Sequence, residues 1–324
     1  MTRRCPRTRE DRVLGDPRAV HSGASSSGSS LTSVQPPRLL PALVTPFTRS
    51  GDLDLDAHRH NLTTLTKRRI KGFLIAGSTG EGPYLEPGER QTLLETARQT
   101  LGEKPFLLSG IAAETTRMAT RQAMEAVEAG ADAVLAMTPT TLARGSRDAV
   151  RRFFLALADT SPLPVMIYSV PLYAAYEIPT DLVVELSHDP NIIGMKDSGG
   201  DVTRMARLVQ ETPADFLLFT GATRSITFCM AAGGYGAITA SSNYLTTMVL
   251  EVVAKAHRSP KSALTAQAEL TRIASAVEIY RIPGVKAAAE MVGLRPGHPR
   301  APLAKLGARD IKKIHRPLLP ILSD

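Results

Sequence analysis

Tryptophan is absent from the 324-residue chain, cysteine occurs only twice, and aromatic residues make up just 5 %. Two cysteines, Cys5 and Cys229, exclude a disulfide framework and a cysteine-rich zinc site. Cys229 sits among apolar residues and reads as inert core. Long hydrophobic runs are also lacking. The longest charge-free window, Ser225 to Leu250, is broken by Gly233, Gly234, Gly236 and several Ser, Thr and Asn residues. A bilayer helix wants ~20 predominantly apolar residues, so no membrane partner is expected. No apolar stretch follows the N-terminal arginines, which argues against a secretory signal. His58 and His60 lie two apart and do not share a helix face, the other histidines are scattered, and no dinucleotide fingerprint occurs. The chemistry is therefore expected to need neither metal nor nucleotide cofactor.

The net charge of +8 is misleading as a whole-chain figure. Half of it resides in residues 1–38, which carry seven arginines and no lysine. The remaining body is only mildly basic, and nucleic-acid binding loses its compositional support. Residues 1–37 combine scattered arginine with a Ser/Gly run at 22–30 and Pro36-Pro37, too little apolar surface to offset ordering entropy. They read as a disordered basic tail or leader. An Arg- and Ser-rich leader is what a mitochondrial transit segment looks like, but three acids in the first sixteen residues argue against that. A cytoplasmic location is expected, with the mitochondrion as the alternative.

What is present is a regular alternation. Short apolar runs occur at Leu40–Val44, Gly72–Ala76, Pro105–Ser109, Ala133–Met137, Pro164–Tyr168, Ile192–Lys196, Phe216–Thr220 and Gly236–Thr239. Several lack polar alternation, as strands buried on both faces do. Between them lie stretches of helical periodicity such as Asp54–Arg69, Glu86–Leu101, Thr115–Glu128 and Asp148–Ala158. Parallel neighbours need a crossover, so eight strand–helix alternations mean parallel βα units. Eight repeats favour a closed (β/α)8 TIM barrel over an open doubly wound sheet. The barrel is predicted over residues 38–254. Residues 255–324 form a C-terminal extension of three helices, Lys261–Tyr280, Gly284–Val292 and Ala308–His315.

Active sites of such barrels lie at the C-terminal ends of the strands, so polar residues there are the candidates. Lys196 ends the apolar run from Ile192. Burial favours the neutral form of an amine, and a neutral amine is a carbonyl nucleophile. The ordinary alternative is a lysine that reaches the rim or pairs with Asp197. Tyr168 ends the preceding run. Its phenol could shuttle protons for an imine-forming amine, or simply bond a backbone carbonyl in the core. Ser78 and Thr79 lie in a Gly-flanked turn whose hydroxyls and N–H groups suit a carboxylate or phosphate, although Gly-Ser-Thr-Gly also serves as an ordinary turn.

Taken together and in order, these signals are specific. With Gly77-Ser-Thr-Gly-Glu81, Ile167-Tyr-Ser-Val-Pro171, Ile193-Gly-Met-Lys-Asp-Ser198 and Gly234-Tyr-Gly-Ala-Ile238, the chain resembles the dihydrodipicolinate synthase / N-acetylneuraminate lyase family of Schiff-base (class I) aldolases from about Leu39 to Leu303. Within it, Ser161-Pro-Leu-Pro164 and the stretch His188–Arg204 look most like the 4-hydroxy-2-oxoglutarate aldolase branch. The resemblance implies that Lys196 is the Schiff-base lysine and Tyr168 the proton relay. It also implies that Ser78 and Thr79 hold the carboxylate of a 2-oxo acid, that the Ile238 carbonyl lines the same pocket, and that Ser198 matches a serine of that branch. It implies a homo-oligomer, a tetramer or dimer.

Two positions depart from the family pattern. Thr141 stands where a tyrosine is usual, and Tyr173 stands where the synthases have an arginine for the aldehyde partner's carboxylate. The expected activity is therefore a carbon–carbon lyase that cleaves a 4-hydroxy-2-oxo acid to pyruvate and an aldehyde such as glyoxylate. The alternatives are a synthase that condenses pyruvate with an aldehyde, an aldolase or dehydratase for a sugar-derived oxo acid, and a non-catalytic small-molecule binder on a decayed barrel.

Overall fold

The computed structural model describes residues 35–322. The expected tail over 1–37 falls almost wholly outside them. Eight strands follow the chain: β1 (Leu39–Pro41), β2 (Gly72–Ile75), β3 (Phe106–Ile111), β4 (Ala133–Met137), β5 (Val165–Ser169), β6 (Ile192–Asp197), β7 (Leu217–Thr220) and β8 (Gly236–Thr239). All neighbouring pairs are parallel, in the order β1-β8-β7-β6-β5-β4-β3-β2. The ring closes through Ala42 opposite Leu74 just beyond β1, where the Leu43 N–H donates to the Leu74 carbonyl at 2.9 Å. This is the (β/α)8 TIM barrel read from the alternation, with its extra C-terminal helices.

Two apolar layers explain the runs. Strand side chains such as Leu40, Leu74, Leu108, Leu135, Met166 and Phe219 fill the barrel interior. Those of the opposite parity, including Phe73, Leu107, Val134 and Ile167, pack outward against the helices. Residues buried on both faces need no polar alternation. Several helices begin on side-chain caps. Asp54, Thr115, Ser146 and Asp201 each accept a backbone N–H of the first turn, satisfying donors that the helix itself cannot.

The C-terminal helices span Pro260–Glu278, Arg281–Met291 and Ala308–Leu322. The last continues past the expected end at His315 despite Pro317 and Pro320. Ile314 and Leu318 are buried one turn apart, so packing outweighs the backbone hydrogen bonds that proline removes. At the other end of the described chain, Pro36 is buried and its carbonyl accepts the Tyr235 hydroxyl at 2.6 Å. Among the described residues no helix is long and apolar enough to cross a membrane.

Candidate active site

A single irregularity in β6 sets the central pair. Val165 of β5 faces Ile192, but the next residue, Met166, faces Gly194, so Ile193 is an extra residue in the ladder. One inserted residue exchanges the two faces of a strand. Beyond the shift Tyr168 lies directly opposite Lys196, and both share the interior face. The Lys196 ammonium stands 4.4 Å from the centre of the Tyr168 ring. The two residues are 3 % and 5 % exposed.

Lys196 does not pair with Asp197. That carboxylate belongs to the outer face, where it accepts the Arg204 Nε–H at 2.9 Å and the Gly199 backbone N–H at 2.9 Å. The ion pair is buried on both sides and pins the turn Ser198-Gly199-Gly200 to the helix Val202–Glu211. Gly221, after β7, completes the surroundings of the lysine. A Cβ at that position would sit 2.0 Å from Ser198 Oγ and 2.8 Å from Lys196 Cε, so a larger residue would have to displace one or both side chains.

Across the barrel mouth, the turn Gly77–Gly82 follows β2. Backbone bonds from the Glu81 N–H to the Ser78 carbonyl (3.1 Å) and from the Gly82 N–H to the Gly77 carbonyl (3.0 Å) fold it tightly. Ala76 and Glu81 take positive φ of 58° and 56°, an unusual cost for residues with a Cβ. A Cβ on Gly82 would meet the Ala76 carbonyl at 2.0 Å. The strain is held from below. The buried Glu81 carboxylate pairs with Lys286 at 2.5 Å and accepts the Arg300 backbone N–H at 2.8 Å. Lys286 also donates to the carbonyls of Thr45 (2.8 Å) and His298 (2.6 Å). Burial pushes its ammonium down to about 8, although Glu81 opposes the shift.

Lys196, Tyr168, Ser78, Thr79 and Ser198 line one cavity of 160 Å³ at the C-terminal mouth of the barrel. The structure thus brings together five of the six residues singled out in the sequence. Ile238 is not among the lining residues. Its side chain is buried in the barrel interior, and Ala240, just beyond β8, faces the cavity instead. Thr141 is exposed and lines neither this cavity nor the adjoining one. Its backbone N–H donates to Glu114 at 3.0 Å, while the Thr140 hydroxyl donates to the same carboxylate at 2.7 Å.

Sequence reasoning missed what the C-terminal extension contributes. Glu278 and Arg281 line the cavity too. The Glu278 carboxylate accepts the Thr223 hydroxyl at 2.6 Å, and burial raises its pKa. Lys286 carried a readable signal, since it interrupts an apolar stretch just as Lys196 does. Glu278 and Arg281 carried none, because a charged residue at a helix junction is ordinarily solvated.

A buried amine under a phenol, facing hydroxyls on a tight turn, can capture a small oxo acid as an imine. Comparison with known proteins agrees with that chemistry. The model of the dihydrodipicolinate synthetase family matches residues 35–319. The chain belongs to this family. A 4-hydroxy-tetrahydrodipicolinate synthase of Exiguobacterium sibiricum is 35 % identical over 268 residues, covering 82 % of this chain and 90 % of the relative. The corresponding protein of Methanoculleus marisnigri is 30 % identical over 287 residues, covering 87 % and 98 %. Among solved structures, a dihydrodipicolinate synthase from Bacillus anthracis superposes with a TM-score of 0.82 at 28 % identity, over 87 % of this chain and 97 % of the other. The Acinetobacter baumannii enzyme complexed with pyruvate gives 0.82 at 25 % identity, over 86 % and 97 %. These relatives carry the synthase name. They lend no support to the 4-hydroxy-2-oxoglutarate branch that the local motifs suggested.

Proposed function

We propose that the protein is a Schiff-base enzyme that joins the C3 carbon of pyruvate to an aldehyde, a reading supported by the synthase name of its relatives. The observation that carries this reading is the buried Lys196–Tyr168 pair in one cavity with Ser78 and Thr79. The carboxylate of pyruvate docks on the hydroxyls of Ser78 and Thr79. The Lys196 amine, in its neutral form, attacks the C2 ketone, and Tyr168 passes protons until water leaves and an imine forms. The protonated imine withdraws electrons, so C3 loses a proton and becomes the nucleophilic carbon of an enamine. It attacks the aldehyde carbon, the aldehyde oxygen takes up a proton, and hydrolysis of the new imine frees the lysine. Covalent catalysis of this kind replaces one high barrier by several lower ones.

The same steps run backwards cleave a 4-hydroxy-2-oxo acid. That second reading rests on Tyr173 in place of an arginine and on Ser198 beside the lysine. The proposal extends to a cytoplasmic homo-oligomer. Incubation with pyruvate and borohydride, followed by peptide mapping, tests the shared step. A reduced adduct on Lys196 is expected, and labelling elsewhere would overturn the assignment. Pyruvate consumption with aspartate semialdehyde, set against pyruvate release from 4-hydroxy-2-oxoglutarate, then separates the two readings.

A further inference from the structure

A second cavity of 330 Å³ adjoins the first, and the two share Ser78, Tyr173, Arg281 and Ile282 in their walls. A substrate anchored at Lys196 and extending beyond its reacting carbon therefore runs past Tyr173 and Arg281 into this space. Arg281 begins the helix Arg281–Met291 at a φ of 53°, a backbone conformation that residues with a Cβ adopt only where the surroundings impose it. The other arginine at the mouth, Arg224, is committed, because its guanidinium donates to the Gly199 carbonyl at 2.7 Å. Among the described residues, no side-chain hydrogen bond or ion pair engages Arg281. Tyr173 lies close enough to feel the charge of Arg281.

We infer that Arg281 is a specificity residue of this site, holding a second carboxylate at the far end of the substrate or of the aldehyde partner. The inference rests on the Schiff-base reading above and deepens it. Position 173 carries no cation to meet a second carboxylate. Arg281 supplies one from the C-terminal extension. A guanidinium suits the task because its planar fork binds a carboxylate through two parallel hydrogen bonds. The adjoining Thr140 and Tyr84 leave the space otherwise uncharged apart from Glu81, and that carboxylate is already paired with Lys286.

The test is borohydride trapping of two five-carbon 2-oxo acids that differ only at the far end. 2-Oxoglutarate carries a carboxylate there and 2-oxopentanoate a methyl group, with pyruvate as the common control. The full-length protein should trap 2-oxoglutarate at a concentration at least about tenfold lower than 2-oxopentanoate, the size of one charge-assisted contact. Arg281→Gln should erase that preference and Arg281→Lys should keep part of it, each threshold being taken relative to that for pyruvate in the same protein. Equal trapping of the two acids by the unaltered protein, or a preference that survives Arg281→Gln, would overturn the inference while pyruvate trapping stands. Failure of the unaltered protein to trap pyruvate would overturn the Schiff-base reading and this inference with it.

Discussion

The two ends of the barrel-mouth cavity are built in different ways. The end proposed for the oxo acid is made of strand ends and one turn: Lys196 and Tyr168 on adjacent strands, and Ser78 and Thr79 on the turn after β2. The far end is made of Glu278 and Arg281, which the C-terminal helices carry back over the mouth. At the first end each side chain is aimed by the strand that carries it, so the geometry is local and rigid. At the second it depends on how a separate layer docks, leaving room for a different substrate without disturbing the imine chemistry. Invariant steps at one end and adjustable ones at the other suit a fold whose loops vary while its strands persist.

Changes at the two ends should separate chemistry from docking. The largest effect belongs to Lys196→Ala, which should abolish the reduced pyruvate adduct and lower turnover by at least about 10³-fold. Near-normal turnover would mean that the nucleophile lies elsewhere. Next comes the tie between the ends. Lys286→Met leaves Glu81 buried without its cation, and breaking a buried pair costs about 3–5 kcal/mol. Denaturant unfolding should register that loss, and a change below about 1 kcal/mol would show that the turn at 77–82 does not depend on the extension.

The helical layer around the barrel offers a comparison outside both cavities. His58 is buried, and burial pushes its pKa down from 6.5 to about 4, against the opposing hydrogen bond with the Leu93 carbonyl. Between these values the unfolded chain binds a proton that the native state refuses, so stability falls as pH drops through the window. The full span corresponds to roughly 3 kcal/mol. His58→Gln should flatten this part of the stability profile. An unchanged slope would show that His58 does not set it.

Gly221→Ala tests the packing around Lys196. Its methyl would press on the side chains of Ser198 and Lys196, and an angstrom-scale displacement of the amine costs about 10²-fold in rate, to be measured as adduct formation per folded protein. Normal trapping would mean that the lysine has more freedom than its neighbours allow. The smallest effect should come from Thr141→Tyr. The position is exposed and lies off both cavities, so stability should stay within about 0.5 kcal/mol and turnover within a few-fold. A large rise in turnover would route proton transfer through this loop.

The barrel was legible because burial on two faces writes uninterrupted apolar runs into a sequence, and because Thr115 marks where a helix begins. Lys196 and Tyr168 were legible as polar residues closing such runs. As the ends of consecutive runs they were also legible as neighbours across one strand pair, but their exact register was not, since it depends on the extra residue Ile193, and nothing in Asn191-Ile192-Ile193-Gly194 declares a bulge. At β8 the motif pointed to the Ile238 carbonyl, and the residue of that segment in the cavity wall is Ala240. Glu278 and Arg281 were hidden because their neighbourhood is created by the docking of helices more than a hundred residues after Tyr168, and no local pattern encodes such a juxtaposition.

The closure between β1 and β2 carries a last consequence. Most strand pairs are laced by three or more facing residues, but here Ala42 and Leu74 form a single bridge. The turn that bears Ser78 and Thr79 leaves the barrel within a few residues of this seam. An anion seated on those hydroxyls would hold one flank of the thinnest part of the wall, the turn that continues β2. Occupancy would then be felt as slower amide exchange at Leu43, whose N–H spans the seam, because a ligand that binds only the closed form suppresses local opening.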